Sequence, residues 1–328
     1  MVLSIVRKYI FLARINDQPR LYSYRLSGKT KEKLAKLSGP AIERFIKYIN
    51  RPALSQEWEA AAADSRFLAQ RFSHQTPSYL ILLAKWKMHR RGMPLDYVLG
   101  STPFGGMDIK IRRPILIPRA DTQLWVEELI KLIPEDREVR ILEIGTGSGC
   151  IALLIASKRP QTRITAIDIL HSAINLAKCN ARLNAPKLAK DWQSKLKFSQ
   201  CDAFSDLGVS QLGDFDLIIS NPPYVPTRQR SSLVAPSVRR WEASVAVLGA
   251  KNDMTSDGLD LHRRVLALSH KLSTPTILNI PQVCLELNGS IEQATKIVVE
   301  AADHSLDPGK TRVITDTHRL PRAVFLFK

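Results

Sequence analysis

The sequence predicts an α/β protein in which a small helical domain precedes an open, largely parallel sheet with helices on both faces. Three observations carry that expectation. Up to about Arg91, apolar residues recur at intervals of three and four, the spacing of amphipathic helices. After Asp121 the pattern changes to alternating helical and strand-like runs, as a parallel sheet with crossover helices requires. Between the first of those strands and its helix stands a glycine-rich turn, Gly145-Thr146-Gly147-Ser148-Gly149, suited to a nucleotide-type loop at the carboxyl end of a strand.

In chain order, the first thirty residues carry Arg7, Lys8, Arg14, Arg20, Arg25 and Lys29 against the single acid Asp17, with Ile5, Ile10, Phe11 and Leu12 interleaved. That composition suits an organellar import segment better than a secretory signal, because Arg7 and Lys8 interrupt the apolar region. A mitochondrial location is expected, and a cytoplasmic one otherwise. Residues 31–92 form the helical domain. Its helical faces run through Ile42, Phe45, Ile46 and Ile49, then Trp58, Ala62, Phe67, Leu68 and Phe72, and a third helix spans 79–89 before Gly92 and Pro94. Residues 93–120 read as a linker with a short hairpin between Pro103 and Pro118, where Gly, Pro and β-branched residues concentrate. The catalytic-type domain follows over 121–328. Its expected helices are 121–132, 148–158, 171–184, 258–269 and 290–302; its expected strands are 139–144, 163–168, 196–200, 215–220, 281–287, 312–315 and 323–327.

The chain has 328 residues, 45% of them hydrophobic, enough to bury a core without disulfides or oligomerisation, so a monomer is expected. Cys150, Cys179, Cys201 and Cys284 are widely spaced, which argues against a zinc site or a disulfide framework, and no metal is expected. No apolar stretch approaches the ~20 residues needed to span a bilayer, so no membrane insertion is expected. The net charge is +17, and residues 1–100 alone hold 18 Lys and Arg against 7 Asp and Glu. This basic front reads either as a surface for an acidic partner or RNA or as a solvated helical face.

The glycine turn has the spacing G-x-G-x-G. A dinucleotide site would show G-x-G-x-x-G with the pyrophosphate on the helix N-terminus; the closer spacing resembles S-adenosylmethionine-dependent methyltransferases. Asp168 ends the next strand, where a carboxylate can accept hydrogen bonds from both ribose hydroxyls of such a cofactor. Asp202 and Ala203, just after the third strand, stand where this class of enzyme holds the adenine, although Asp202 also reads as a turn residue.

The strand ending at Ser220 runs directly into Asn221-Pro222-Pro223-Tyr224. Two prolines freeze the backbone at the strand's carboxyl end. The Asn221 amide oxygen and the Pro222 carbonyl then become fixed acceptors for a nitrogen carrying two N–H bonds, and Tyr224 offers a flat face to a planar group. An amide nitrogen is a poor nucleophile because its lone pair is delocalised; taking both N–H bonds favours a localised lone pair facing the methyl donor. Asn221 thus belongs to both the catalytic and the cofactor-binding sets.

These motifs, with Pro94-Leu95-Asp96-Tyr97-Val98-Leu99-Gly100, Leu116-Ile117-Pro118-Arg119, Trp241-Glu242, Asp257-Gly258-Leu259 and Leu285-Glu286-Leu287-Asn288-Gly289, resemble the HemK/PrmC-type protein-glutamine N5-methyltransferases of class 1 peptide release factors. The resemblance runs from about Pro94 to the C-terminus, and the helical front also looks like the family's substrate-recognition domain. It implies the class I methyltransferase fold with a mostly parallel seven-stranded sheet, S-adenosylmethionine as cofactor, a release-factor glutamine in a Gly-Gly-Gln motif as substrate, and work close to the ribosome. The presence of a front domain matches the bacterial and organellar type. The chain departs from the family's usual I-P-R-P-[DE]-T-E at Ala120 and Gln123, from E-P at Ala243, and from a large adenine-side residue at Ala203.

Two other functions fit parts of the same pattern. N-P-P-Y loops also serve exocyclic amines, so a nucleic-acid methyltransferase acting on adenine N6 or guanine N2 is one alternative, favoured by the charge and opposed by the absence of a recognised nucleic-acid module. A non-catalytic RNA-binding or ribosome-assembly protein on the same fold is the other; intact Asp168 and Asn221 to Tyr224 argue against it.

Overall fold

The computed structural model describes residues 92–249, 256–273 and 279–328. The import segment expected over 1–30 and, Gly92 apart, the helical domain expected over 31–92 lie outside the described residues. After a one-turn helix, Leu95–Leu99, strands β1 (Ser101–Phe104) and β2 (Met107–Lys110) pair antiparallel. This hairpin starts two residues before the expected window. Pro103 sits within β1 opposite Asp108, a place open to proline because each strand of a two-stranded sheet has a free edge for the missing N–H to face. Nor is the hairpin a mere linker: Phe104, Met107 and Ile109 are buried in the same core as Trp125 and Leu154.

Next come α1 (Ala120–Leu132), β3 (Arg140–Ile144), α2 (Cys150–Lys158), β4 (Arg163–Asp168), α3 (His171–Leu183), β5 (Leu196–Gln200) and β6 (Leu217–Ser220). They are followed by α4 (Pro236–Trp241), α5 (Asp260–Leu272), β7 (Val283–Glu286), α6 (Ile291–Ala301), β8 (Asp307–Thr315) and β9 (Pro321–Phe327). The expected helix at 148 begins instead at Cys150, because Gly149 takes φ +82° and a left-handed residue cannot continue a right-handed helix. The seven-stranded sheet has the order β5-β4-β3-β6-β7-β9-β8. Strands β3 to β7 pair in parallel and β9 runs antiparallel to both its neighbours, as a largely parallel seven-stranded sheet requires.

The central strands are apolar almost throughout, as strands covered on both faces must be. Ile141, Leu217, Cys284 and Phe325 point into one core with Trp125, Leu129 and Ile151. Their neighbours Leu142, Ile218, Leu285 and Leu326 point into the other, with Val265, Leu268 and Ile297.

Candidate active site

Strands β3 and β6 lie side by side with Ile144 opposite Ser220. From β3 the chain proceeds outward through β4 to β5, then crosses back to β6 on the other side. The carboxyl ends of these two strands therefore flank a topological switch point, where open α/β sheets form their ligand crevices. The Ser220 hydroxyl donates to the Ile144 carbonyl at 2.7 Å and ties the strand ends together. A cavity of about 640 Å³ opens there. Its lining includes Gly145, Thr146, Gly147, Ser148, Asp168, Asp202, Ala203, Asn221 and Pro223. Gly149, Pro222 and Tyr224 are not part of that lining.

Gly145, Gly147 and Gly149 all have positive φ, which only glycine adopts at little cost. The Gly145 and Thr146 amides donate to the Ile167 carbonyl at 2.8 and 3.0 Å, and the Gly147 amide donates to Asp168 Oδ2 at 2.9 Å. The loop is thereby fastened to the end of β4. A β-carbon on Gly149 would sit 2.9 Å from that of Ala177, so this glycine serves the close packing of α2 on α3. Beneath the loop the Thr146 hydroxyl donates to Glu143 Oε2 at 2.7 Å. Burial pushes the Glu143 carboxyl up to about 8, and its other oxygen has no partner among the described residues.

Asp168 is 9% exposed and also accepts from the Leu170 amide at 2.8 Å. Burial raises its pKa, while the Leu170 and Gly147 amides hold it down. The two amides pin both carboxylate oxygens at the cavity wall, leaving lone pairs for a ligand's hydroxyls. Asp168→Ala should weaken S-adenosylmethionine binding by about 10- to 100-fold, the worth of hydrogen bonds to a charged group, with the secondary structure retained. Calorimetric titration of the purified protein checks this, and unchanged affinity would remove Asp168 from the site.

Asp202 accepts from the Phe204 amide at 2.9 Å, the side-chain turn its residue type suggested, while also lining the cavity. Phe204, 56% exposed at the same wall, is the large flat side chain beside the small Ala203. The residue-by-residue reading passed over it, although an exposed aromatic next to a candidate adenine site was a signal.

The Asn221 loop is braced from α1 and β7. Thr122 and Trp125, three apart on one face of α1, both reach Glu286: the hydroxyl donates to Oε2 at 2.6 Å and the indole N–H to the same oxygen at 2.7 Å. The Asn221 Nδ2 donates to the Thr122 hydroxyl oxygen at 3.3 Å. Burial pushes Glu286 up to about 7 and the Tyr224 phenol up to about 12. On the other flank, Arg119 Nη2 contacts both oxygens of the buried Glu242 at 2.7 and 2.9 Å, and the Ala243 amide donates to the Pro114 carbonyl at 2.7 Å. The segments around Arg119 and Trp241 are thus joined at the cavity rim. Gln123 keeps a structural task at its departure from the family pattern, its amide oxygen accepting from the Gly105 amide at 2.9 Å. Among the described residues, no group of three or more His, Cys, Asp or Glu side chains could hold a metal ion, and no helix is long and apolar enough to cross a membrane.

Residues 122–242 match the family model for the methyltransferase small domain. The release factor glutamine methyltransferase of Geobacter sulfurreducens is 35% identical over 182 residues, 56% of this chain and 57% of that protein. That of Fusobacterium nucleatum is 33% identical over 205 residues, 62% and 52%, and that of Flavobacterium psychrophilum 31% identical over 210 residues, 63% and 67%. The matched stretch spans a little over half the length of the first two relatives. Among solved structures, the hMettl16 catalytic domain in complex with a MAT2A 3′UTR hairpin covers 78% of this chain and 95% of its own, at a TM-score of 0.50 and 17% identity, a likeness of fold. The fold and the family imply S-adenosylmethionine as the methyl donor. The residues fit it: a glycine loop open to close approach, a buried carboxylate at the end of β4, and a cavity of suitable size. With this fold, these two loops on adjacent strands and these relatives, the chain belongs to the release factor glutamine methyltransferase family.

Proposed function

We propose that the protein transfers a methyl group from S-adenosylmethionine to the side-chain amide nitrogen, N5, of the glutamine in the Gly-Gly-Gln motif of a class 1 peptide chain release factor. The observation that carries this reading is that Asn221 and Pro223 line the same cavity as the glycine loop and Asp168, so an amide held at the Asn221 loop meets a donor held by the glycine loop and Asp168. S-adenosylmethionine supplies the methyl group on a positively charged sulfur. The Asn221 side-chain oxygen and the Pro222 backbone carbonyl accept the two N–H bonds of the substrate amide. That localises the nitrogen lone pair along the line of transfer, and fixed acceptors need no rearrangement when the C–N bond forms. After transfer the nitrogen sheds one proton to solvent. A mitochondrial location, carried by the basic first thirty residues, belongs to the same proposal.

A second reading has one observation in its favour. Near the cavity mouth Arg113 and Arg240 both stand over the Trp241 ring, at 4.8 and 5.6 Å. Arg230, a lining residue, reaches the Arg239 carbonyl at 3.4 Å. No carboxylate pairs with these arginines among the described residues. Such a basic rim also suits a nucleic-acid backbone. One experiment separates the readings: mass spectrometry of a release factor's Gly-Gly-Gln peptide after incubation with the protein and S-adenosylmethionine, beside DNA and RNA oligonucleotides. A gain of one methyl group on the glutamine is expected. Methylated oligonucleotide with unmodified peptide would replace the proposal by its rival.

A further inference from the structure

A primary amide can face its surroundings in two ways, and only one of them serves an acceptor nitrogen with two N–H bonds. The Asn221 oxygen must point at the substrate and its NH2 away. What settles the choice is the order of donors and acceptors behind it. Glu286, 3% exposed at the carboxyl end of β7, can only accept when ionised. Thr122 has one hydroxyl proton, and at 2.6 Å from Glu286 Oε2 that proton is committed to the carboxylate. The Thr122 oxygen can then only accept, and from Asn221 the one group able to donate is Nδ2, found 3.3 Å away.

We propose that Glu286, acting through Thr122, is a positioning residue that fixes the direction of the Asn221 side-chain amide and so presents its oxygen to the methyl acceptor. This rests on the amide-methylation reading above. The hydrogen bonds run one way, from Asn221 N–H to Thr122 O and from Thr122 O–H to the carboxylate, and the Trp125 indole N–H, donating to the same oxygen at 2.7 Å, fixes the carboxylate itself. If Glu286 takes up a proton it can donate to Thr122. Thr122 can then donate to Asn221, and the amide turns its NH2 toward the substrate, where it opposes the substrate's own N–H.

The charged surroundings of Glu286 decide where that reversal falls. Asp121 on α1 raises its pKa, with burial the larger cause, while Thr122, Trp125 and Asn221 lower it. Asp121 is itself paired with Arg322 of β9 at 3.3 Å, and Arg322 with Asp316 at 2.8 Å. From α5, His262 places Nε2 3.1 Å from the Glu286 carbonyl, and burial holds the ring neutral with its pKa down at about 4. The Tyr224 phenol, pushed up to about 12, stays uncharged. With the carboxyl up at about 7, the orienting chain is intact above that pH and reverses as pH falls through it. Glu143, at about 8, titrates in the same range, so the pH limb is assigned by substitution.

The test uses the full chain with a release factor and Thr122→Val, Thr122→Ser and Glu286→Gln. Thr122→Val keeps the shape and loses the hydroxyl, so kcat should fall about 10- to 100-fold, the scale of a misoriented reacting group, with S-adenosylmethionine affinity near that of the unaltered protein. Thr122→Ser should recover most of the loss, and Glu286→Gln should remove the decline of kcat below about pH 7. A readout independent of any substrate is the side-chain NH2 signal of Asn221 in 15N-asparagine-labelled protein, identified by its absence in Asn221→Asp. Its protons should exchange slowly with water in the unaltered protein and faster in Thr122→Val. Full kcat in Thr122→Val, or an unchanged Asn221 signal, would overturn the assignment. An unaltered protein that fails to methylate the release factor while the Asn221 signal responds as described would instead count against the substrate reading alone.

Discussion

Asn221→Ala should reduce turnover on a release factor by about 10²- to 10³-fold, the usual cost of removing one preorganised polar group from a transition state. Affinity for S-adenosylmethionine should change by less than about tenfold, the worth of one ordinary hydrogen bond. The difference arises because Asn221 stands at the end of β6, whereas the donor side of the cavity is built by the glycine loop of β3 and Asp168 of β4. Single-turnover kinetics at saturating release factor, beside calorimetry, separates the two effects. Most of the turnover surviving would sink the orientation mechanism.

Gly258→Ala should be nearly as damaging from outside the cavity. Gly258 has φ +86°, and a β-carbon there would lie 2.8 Å from the Tyr224 carbonyl oxygen, 2.9 Å from the Pro226 nitrogen and 3.0 Å from the Val225 carbonyl carbon. All three are backbone atoms next to prolines and have little room to yield. A residue forced into a left-handed conformation costs about 1–3 kcal/mol, and overpacking adds about 1–3 kcal/mol. In a protein of this size that lowers Tm by at least ~3 °C, and the strain relaxes by moving the Asn221 loop. Differential scanning calorimetry and kcat on the same sample measure both. A variant with unchanged Tm and turnover would show that the loop is not held from this side.

Much of this was legible in the sequence. The alternation after Asp121, the G-x-G-x-G turn and the Asn221-Pro-Pro-Tyr run are local signals. They placed the two working loops at carboxyl ends of strands, where the structure has them. Local reading fails where the partner is remote. Thr122 and Trp125 meet Glu286 across 164 and 161 residues, and Arg119 meets Glu242 across 123; no periodicity encodes such pairings. Glu286 did leave a trace, since a carboxylate inside the apolar run 283–287 must find donors or lose its charge. The pieces Trp192–Lys195, Asp206–Ser210, Arg230–Leu233 and α4 span four to six residues, too short to show a helical period. Tyr224, expected to stack on the substrate, is not among the residues lining the cavity, and the closeness of its carbonyl oxygen to Gly258 is likewise a contact between remote residues.

Strand β9 follows β8 in the chain yet sits between β8 and β7 in the sheet. It closes the edge of the strand that carries Glu286: Glu286 faces Ala323 in register, and the Leu287 amide donates to the Arg322 carbonyl at 2.8 Å. Phe325 meets the Trp125 ring edge-on at 6.4 Å. The brace behind Asn221 is therefore complete only once β9, the last strand of the sheet in chain order, has paired with β7. Loss of residues 321–328 would unpair that edge and strip Phe325 from Trp125, so it should cost turnover at a cavity those residues do not line.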